Sequence, residues 1–287
     1  MNRQAIIDRV GETLIKAGTT FSESKKEAYR RAIERESNEN ARWALTTILE
    51  NAEAAERSRS PLCDDTGIPH MIIEVGPDVS LTGGILSAIS EGVKKGLEEL
   101  PGRPMGIMGD DLERIDQSGG LSQDPGFVEH APFLIRNVDE DVLRVYITMQ
   151  GGGPAIRGKT YRIFHKHSVE TVVDEIVSWA TESVGMLGCS PCTLAVGIGR
   201  SQYEAAAMMT LAQAEGDYDV QSDIEKEITD RVNQSNIGSL GLGGDVSVLA
   251  TFLKVGPQRA SGVRIVSMRP MCCFEPRIAS TDLADLL

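Results

Sequence analysis

Apolar residues recur at helical spacing from the start of the chain. Ile6, Ile7, Val10, Leu14 and Ile15 share one face over residues 3–18, which predicts an amphipathic helix. Ser24 to Arg35 reads as a polar helix, with Ser24 and Glu27 as a capping box. A third helix carries Trp43, Leu45, Ile48 and Leu49, is capped by Asn38 or Asn40, and stops near Ser58–Pro61. The chain is therefore expected to be helical over about residues 1–58.

The pattern then changes. Met71–Val75 reads as a strand and Gly84–Leu100 as a helix. Residues 101–126 hold six glycines, three prolines and four aspartates, which predicts a long loop or several turns. Phe133–Ile135 and Val142–Met149 read as strands around an Asp139-Glu140-Asp141 turn. Val169–Leu187, Ser201–Glu215 and Ser222–Val232 read as helices, and Leu194–Ile198, Val246–Val255 and Val263–Met268 as strands. Ile237–Gly244 is glycine-rich. With no internal repeat and no clear linker, the expectation is a single domain over residues 1–287. Its class is mixed α/β (α+β), an N-terminal helical region packed on a mixed sheet.

Composition narrows the partners. Apolar residues make up 41% and charged residues 25% of the 287, as in soluble globular proteins. No apolar run reaches the length of a membrane span, and the N-terminus leads into an amphipathic pattern rather than a signal peptide. A cytoplasmic location is expected. The net charge of −13 argues against nucleic acid and anionic membranes. It leaves room for a small anion, which needs only a few local cations and backbone N–H groups.

Five cysteines stand at positions 63, 189, 192, 272 and 273. An odd number without a secretion signal argues against a disulfide framework. Free cysteine is also a common core residue. Here, however, each site lies in a turn beside Pro or Gly, where backbone N–H groups can reach sulfur. Cys189-Ser-Pro-Cys192 has C-x-x-C spacing, but no second pair or nearby His completes a zinc tetrad. The strand expected after it argues against a thioredoxin-like motif. Three separated cysteine sites suit a cubane cluster with one iron left free of protein.

These residues carry a resemblance. Pro61–Gly67 reads PLCDDTG and is similar to the P-L-C-Q-D-T-G type motif of class I fumarases and L-tartrate dehydratases. Cys189–Gly199, CSPCTLAVGIG, resembles their C-P-P segment leading into a strand and a glycine. Gly151-Gly152-Gly153 precedes Lys159-Thr160, Arg103 follows the first cysteine by about forty residues, and Cys272-Cys273 precedes Arg277, all in the family's order. The resemblance runs from the helix at Asn38 to Arg277.

The resemblance implies a [4Fe–4S] cluster held at converging loops by Cys63, Cys189 and Cys272, with Cys273 as the alternative third ligand and Cys192 spare. It implies hydration or dehydration of a C4-type dicarboxylate, fumarate/malate first, with tartrate or mesaconate as alternatives. Asp65 is the catalytic candidate, and Asp64, Arg103, Gly151, Gly152 and Gly153 are the substrate-binding candidates. It also implies a separate β subunit that completes the active site, hence a hetero-oligomer. Two departures stand out. The family's Gln after the first cysteine is Asp64, which when ionised would repel a substrate carboxylate. The family's His about twelve residues before the third cysteine is missing from Pro257–Ser261. The rival reading is a non-enzymatic iron–sulfur or redox-sensing protein derived from this family. By sequence alone, Arg103 and Lys159 also read as solvated surface charges, the glycines as a tight turn, and the four histidines as structural or exposed.

Overall fold

A computed structural model describes residues 2–287. The chain opens with α1 (Arg3–Thr19), α2 (Glu23–Arg35), α3 (Glu39–Ser58), β1 (Ile68–Val75), α4 (Gly83–Glu99) and α5 (Asp111–Asp116). Next come β2 (Leu134–Asn137), β3 (Leu143–Gln150), α6 (Gly152–Ala155), β4 (Lys159–Phe164), α7 (Val169–Leu187) and β5 (Cys192–Gly199). It closes with α8 (Gln202–Glu215), α9 (Asp223–Asn233), β6 (Val248–Val255), β7 (Val263–Met271) and β8 (Arg277–Asp282). The class is mixed α/β, as the sequence pattern predicts. No helix among the described residues is long and apolar enough to cross a membrane.

Local chemistry explains the differences from expectation. Helix α2 starts at Glu23 because Ser22, not Ser24, caps it, its Oγ accepting from Lys25 N–H at 3.2 Å. Asn38 is the cap of α3, its Oδ1 accepting from Asn40 and Ala41 N–H at 2.9 and 3.3 Å. The 101–126 segment contains α5, started by a capping box of Asp110 and Glu113. Strands β2 and β3 flank the expected acidic turn but do not pair; both pair with β1, which lies between them.

The chain divides into two compact units and passes between them four times, once inside α3. The first comprises Met1–Thr20, Ala52–Gly151 and Arg277–Leu287. Its sheet runs β2-β1-β3-β8, parallel only between β1 and β2. Val10 and Leu14 of α1 and Ile89 and Val93 of α4 pack with Met71, Ile73, Val145 and Ile147 of the strands. The two helices approach closely at Gly92, where a Cβ would lie 2.6 Å from Val10 Cβ and 2.8 Å from Ile7 O. Buried Glu74 is held by Arg136 and Arg144, its neighbours on the flanking strands.

The second unit comprises Phe21–Asn51 and Gly152–Pro276. Its sheet runs β4-β7-β5-β6, with β5 parallel to β6 and antiparallel to β7. Every residue of β5 is buried, so the strand reads as an apolar run rather than an alternation. Val172, Ile176 and Ala180 of α7 and Ile228 and Val232 of α9 pack with Leu194, Val196, Val248 and Val266. Ala28 of α2 and Ala212 of α8 pack with Ala195, Ala250, Phe252 and Met271.

Helix α8 crosses β5 at Gly197, where an added Cβ would meet Ala205 O and Met209 N at 2.2 Å. Alanine there would gain roughly 0.5–1 kcal/mol in backbone propensity, but overpacking typically costs about 1–3 kcal/mol. Both contacts are backbone atoms that cannot rotate away, so the clash should dominate. Gly197→Ala should lower the urea midpoint, whereas Gly83→Ala, where a Cβ meets nothing within 4 Å, should leave it unchanged or slightly raised.

Candidate functional site

The first cysteine lies in the turn that links α3 to β1. Leu62 anchors it, 2% exposed, with its N–H donating to Gly18 O at 2.9 Å. Cys63 is half-buried, and its Sγ donates to Asp64 Oδ1 at 3.5 Å. Asp64 projects into solvent, its carboxylate 3.6 Å from the Arg103 guanidinium. Arg103 is itself exposed, but its backbone N–H donates to Thr66 Oγ1 at 2.8 Å. Cys63, Asp64, Asp65 and Arg103 therefore belong to one substructure of the first unit.

Sequence reasoning noted Arg277 as a motif residue and missed its role. Arg277 is 3% exposed, and its Nη1 donates to Asp65 O at 2.5 Å. Beside it Gly67 adopts φ +81°, and a Cβ there would lie 2.7 Å from Arg277 Nη2 and 2.9 Å from Gln150 O. The glycine of the D-D-T-G sequence is needed both for its left-handed backbone and for this approach.

In the second unit the pairing of Thr193 with Met271 brings the start of β5 beside the end of β7. Cys273 N–H donates to Cys189 O at 2.9 Å, which ties the second and third cysteine segments together. Ser190 secures the first of them: its Oγ donates to Gly238 O at 2.6 Å and its carbonyl accepts from Leu240 N–H at 3.0 Å. The glycine-rich stretch is thus a buttress for the Cys189 turn. Beyond Cys273, the buried Glu275 carboxylate accepts from Arg269, whose Nη2 lies at 3.2 Å.

The thiols differ in access. Cys189 is exposed and Cys272 half-buried, whereas Cys192 and Cys273 are buried. Burial pushes the Cys192 thiol far above its ordinary value. A hydrogen bond with Cys272, then burial, pushes the Cys273 thiol up as well. Both are neutral thiols at pH 7, and the neutral form is the unreactive one.

The glycine triplet is split. Gly151 is buried and belongs to the first unit, whereas Gly152 and Gly153 are exposed at the start of α6 in the second. Lys159 opens β4 and pairs with Glu182 at 2.6 Å. The Pro257–Ser261 loop, where the family's histidine is missing, lies before β7, and Cys272 lies after it. At about 3.3 Å per residue the strand separates them by roughly 30 Å. His165 sits at that far end, its Nε2 2.7 Å from Ser261 O.

Among the described residues, no group of three or more His, Cys, Asp or Glu side chains stands close enough to hold a metal ion. The donors nevertheless fit a thiolate-bound cluster in chemistry and access. Soft thiols lie on turns at 63, 189 and 272, none of them fully buried.

Comparison with known proteins identifies the family to which nearly the whole sequence is similar. The model of the fumarate hydratase (fumerase) family matches residues 7–281. A putative L(+)-tartrate dehydratase subunit alpha from Methanocaldococcus jannaschii is 27% identical over 261 residues, covering 87% of this chain and 88% of that one. A putative fumarate hydratase class I from Geobacillus stearothermophilus is 24% identical over 271 residues, which is 88% of this chain but 50% of that relative. The L(+)-tartrate dehydratase subunit alpha of Escherichia coli K12 is 22% identical over 227 residues, covering 76% of this chain and 72% of that relative.

The thiol environments predict a labelling order. In metal-free protein at pH 7.5, iodoacetamide should modify Cys189 first and Cys63 and Cys272 next. Cys192 and Cys273 should stay unlabelled, and because their thiols are raised, pH 9 should not expose them. Peptide mass spectrometry reads the order; labelling of Cys192 as fast as Cys189 would contradict it.

Proposed function

We propose that this chain, which belongs to the fumarate hydratase (fumerase) family, is the α subunit of a [4Fe–4S] hydro-lyase. Its substrate is a C4-type dicarboxylate, fumarate/malate first, with tartrate or mesaconate as alternatives. The observation that carries the reading is a family match spanning all three cysteine turns. The ligands are Cys63, Cys189 and Cys272. Cys272 is preferred to Cys273 because it is the accessible thiol of the pair. A cluster bound through these three thiolates would have one iron without a protein ligand and would supply Lewis acidity toward a substrate hydroxyl.

The remaining work falls to the chain. Arg103 receives a substrate carboxylate through its planar fork. To do so it must leave Asp64, and an exposed pair at 3.6 Å is worth only about 0–1 kcal/mol. Asp64 thus acts as a placeholder on Arg103 rather than as a donor to substrate. Gly152 and Gly153 present backbone to a second carboxylate, and Gly151 turns the chain before them. Asp65, whose carbonyl Arg277 fixes, moves the proton at the substrate carbon.

A separate β subunit supplies the rest of the site. Two observations support it. Two of the relatives are named alpha subunits, and this chain spans only half the length of the class I fumarate hydratase it matches.

Anaerobically reconstituted protein should hold about four irons and four sulfides per chain. Cys63→Ser, Cys189→Ser and Cys272→Ser should each lose the cluster, and Cys192→Ser should keep it. Stoichiometric zinc without sulfide would refute the cofactor. With the partner subunit present, Arg103→Lys should retain the cluster but lower kcat/KM on the order of 10–100-fold, through loss of a charge-assisted contact. Asp64→Asn should lower KM by up to about fivefold by freeing Arg103. Near-normal kinetics in Arg103→Lys would return that residue to the solvated surface.

A further inference from the structure

Helix α2 reads in the sequence as polar, yet two of its polar side chains are among the most buried of the described residues. Lys25 is 1% exposed and Tyr29 fully buried. Both reach the turn that follows β7. Lys25 Nζ donates to Glu275 O at 2.8 Å, and Tyr29 Oη donates to Cys273 O at 2.7 Å. The Lys25 ammonium also stands 3.9 Å from the centroid of the Phe21 ring. That ring stacks on Tyr29 at 5.7 Å and meets Phe274 at 6.2 Å.

We propose that Lys25 and Tyr29 are positioning residues that hold the Cys272–Glu275 turn against the Cys189 turn in the metal-free chain, so that a binding site for soft metal is preorganised there. Burying an ammonium is costly unless it is fully paired. An aliphatic side chain of similar length would fill the same space at less cost. What it could not do is donate a charge-assisted hydrogen bond to a backbone carbonyl, and such bonds are about twice as strong as neutral ones. The carbonyls held are those of Cys273 and Glu275, and the N–H groups of the same two residues donate to Cys189 O at 2.9 Å and Cys272 O at 2.8 Å. Each gripped peptide group is therefore next to one that shapes the cysteine turns. Holding the carbonyls restricts rotation of those peptides and so protects the N–H bonds.

The clamp is distinct from the Arg269–Glu275 pair, which acts on the Glu275 side chain rather than on the backbone. It also differs from the Ser190–Gly238 contact, which secures the other turn. The cluster-binding consequence rests on the proposed function; the clamp does not.

Amide hydrogen exchange of the metal-free chain tests the proposal. In Lys25→Met, which keeps the stem and removes the charged donor, exchange at Cys273 and Glu275 should be roughly tenfold faster or more, the factor that about 1.4 kcal/mol of lost protection gives. Exchange in the centre of β5, Leu194–Ile198, should not change. Tyr29→Phe should accelerate Cys273 in the same way, and Lys25→Arg should restore protection in part. If Lys25→Met instead accelerates β5 as well, the variant has loosened globally and Tyr29→Phe decides. Unchanged exchange at Cys273 in Tyr29→Phe, or at both amides in a folded Lys25→Met, would mean that the two residues only fill space, and would overturn the proposal. A second readout uses the loaded chain: brown absorbance should bleach in air several-fold faster in Lys25→Met than in the wild type. Wild type that takes up no iron and sulfide would refute the cluster reading, while the exchange data would still judge the clamp.

Discussion

The backbone hydrogen bond from Cys273 N–H to Cys189 O, 2.9 Å long, depends on the register of two antiparallel strands. Strand β5 starts, and β7 ends, at the edge where these cysteines lie. A slip of one residue would turn every side chain of β7 to the opposite face. It would also interchange the surroundings of Cys272, which is half-buried, and Cys273, which is buried. The register is fixed by the burial of β5 on both faces and by the backbone approach of α8 at Gly197. The chemistry available at the cysteines is thus set by packing several residues away.

A common physical device recurs in the two units. In each, a buried cation donates to a backbone carbonyl of a cysteine-bearing turn: Arg277 to Asp65 in the first, Lys25 to Glu275 in the second. Turns have few ladder hydrogen bonds of their own, and side-chain donors replace them. A fixed peptide keeps the neighbouring thiol direction fixed, which matters for a ligand whose bonds to metal are short and directional. It also gives a role to Lys25 and Arg277, two of the cations that a chain of net charge −13 keeps almost out of solvent.

How far the sequence foretold this differs by element. Helices α1, α4, α7 and α9 follow from apolar periodicity, and β5 and β6 from short apolar runs, because burial of a face dominates there, whereas α8 is legible from its Ala/Met-rich composition. Strand β4 was not visible: four of its six residues are exposed, so no alternation marks it. Strand β8 is short, and its sequence Arg-Ile-Ala-Ser-Thr-Asp is mostly polar. The cysteine turns were legible because Pro and Gly punctuate them. The supports were not. Lys25 looks like any lysine on a polar helix, and only the folded chain shows it 1% exposed. Asp64 reads in the sequence as a substrate contact, and only the folded chain shows its carboxylate facing solvent beside Arg103. Nor does the sequence show that β7 separates the loop lacking the family's histidine from Cys272 by the length of the strand.

In the proposed function, three thiolates of this chain would hold four irons and leave one open to substrate. Mössbauer spectroscopy of the anaerobically reconstituted, iron-57-labelled protein, together with its partner subunit, tests it most directly. Three irons of like environment and a fourth that is distinct are expected, with only the fourth responding when malate, tartrate or mesaconate is added. Four equivalent irons that respond to none of these acids would contradict it.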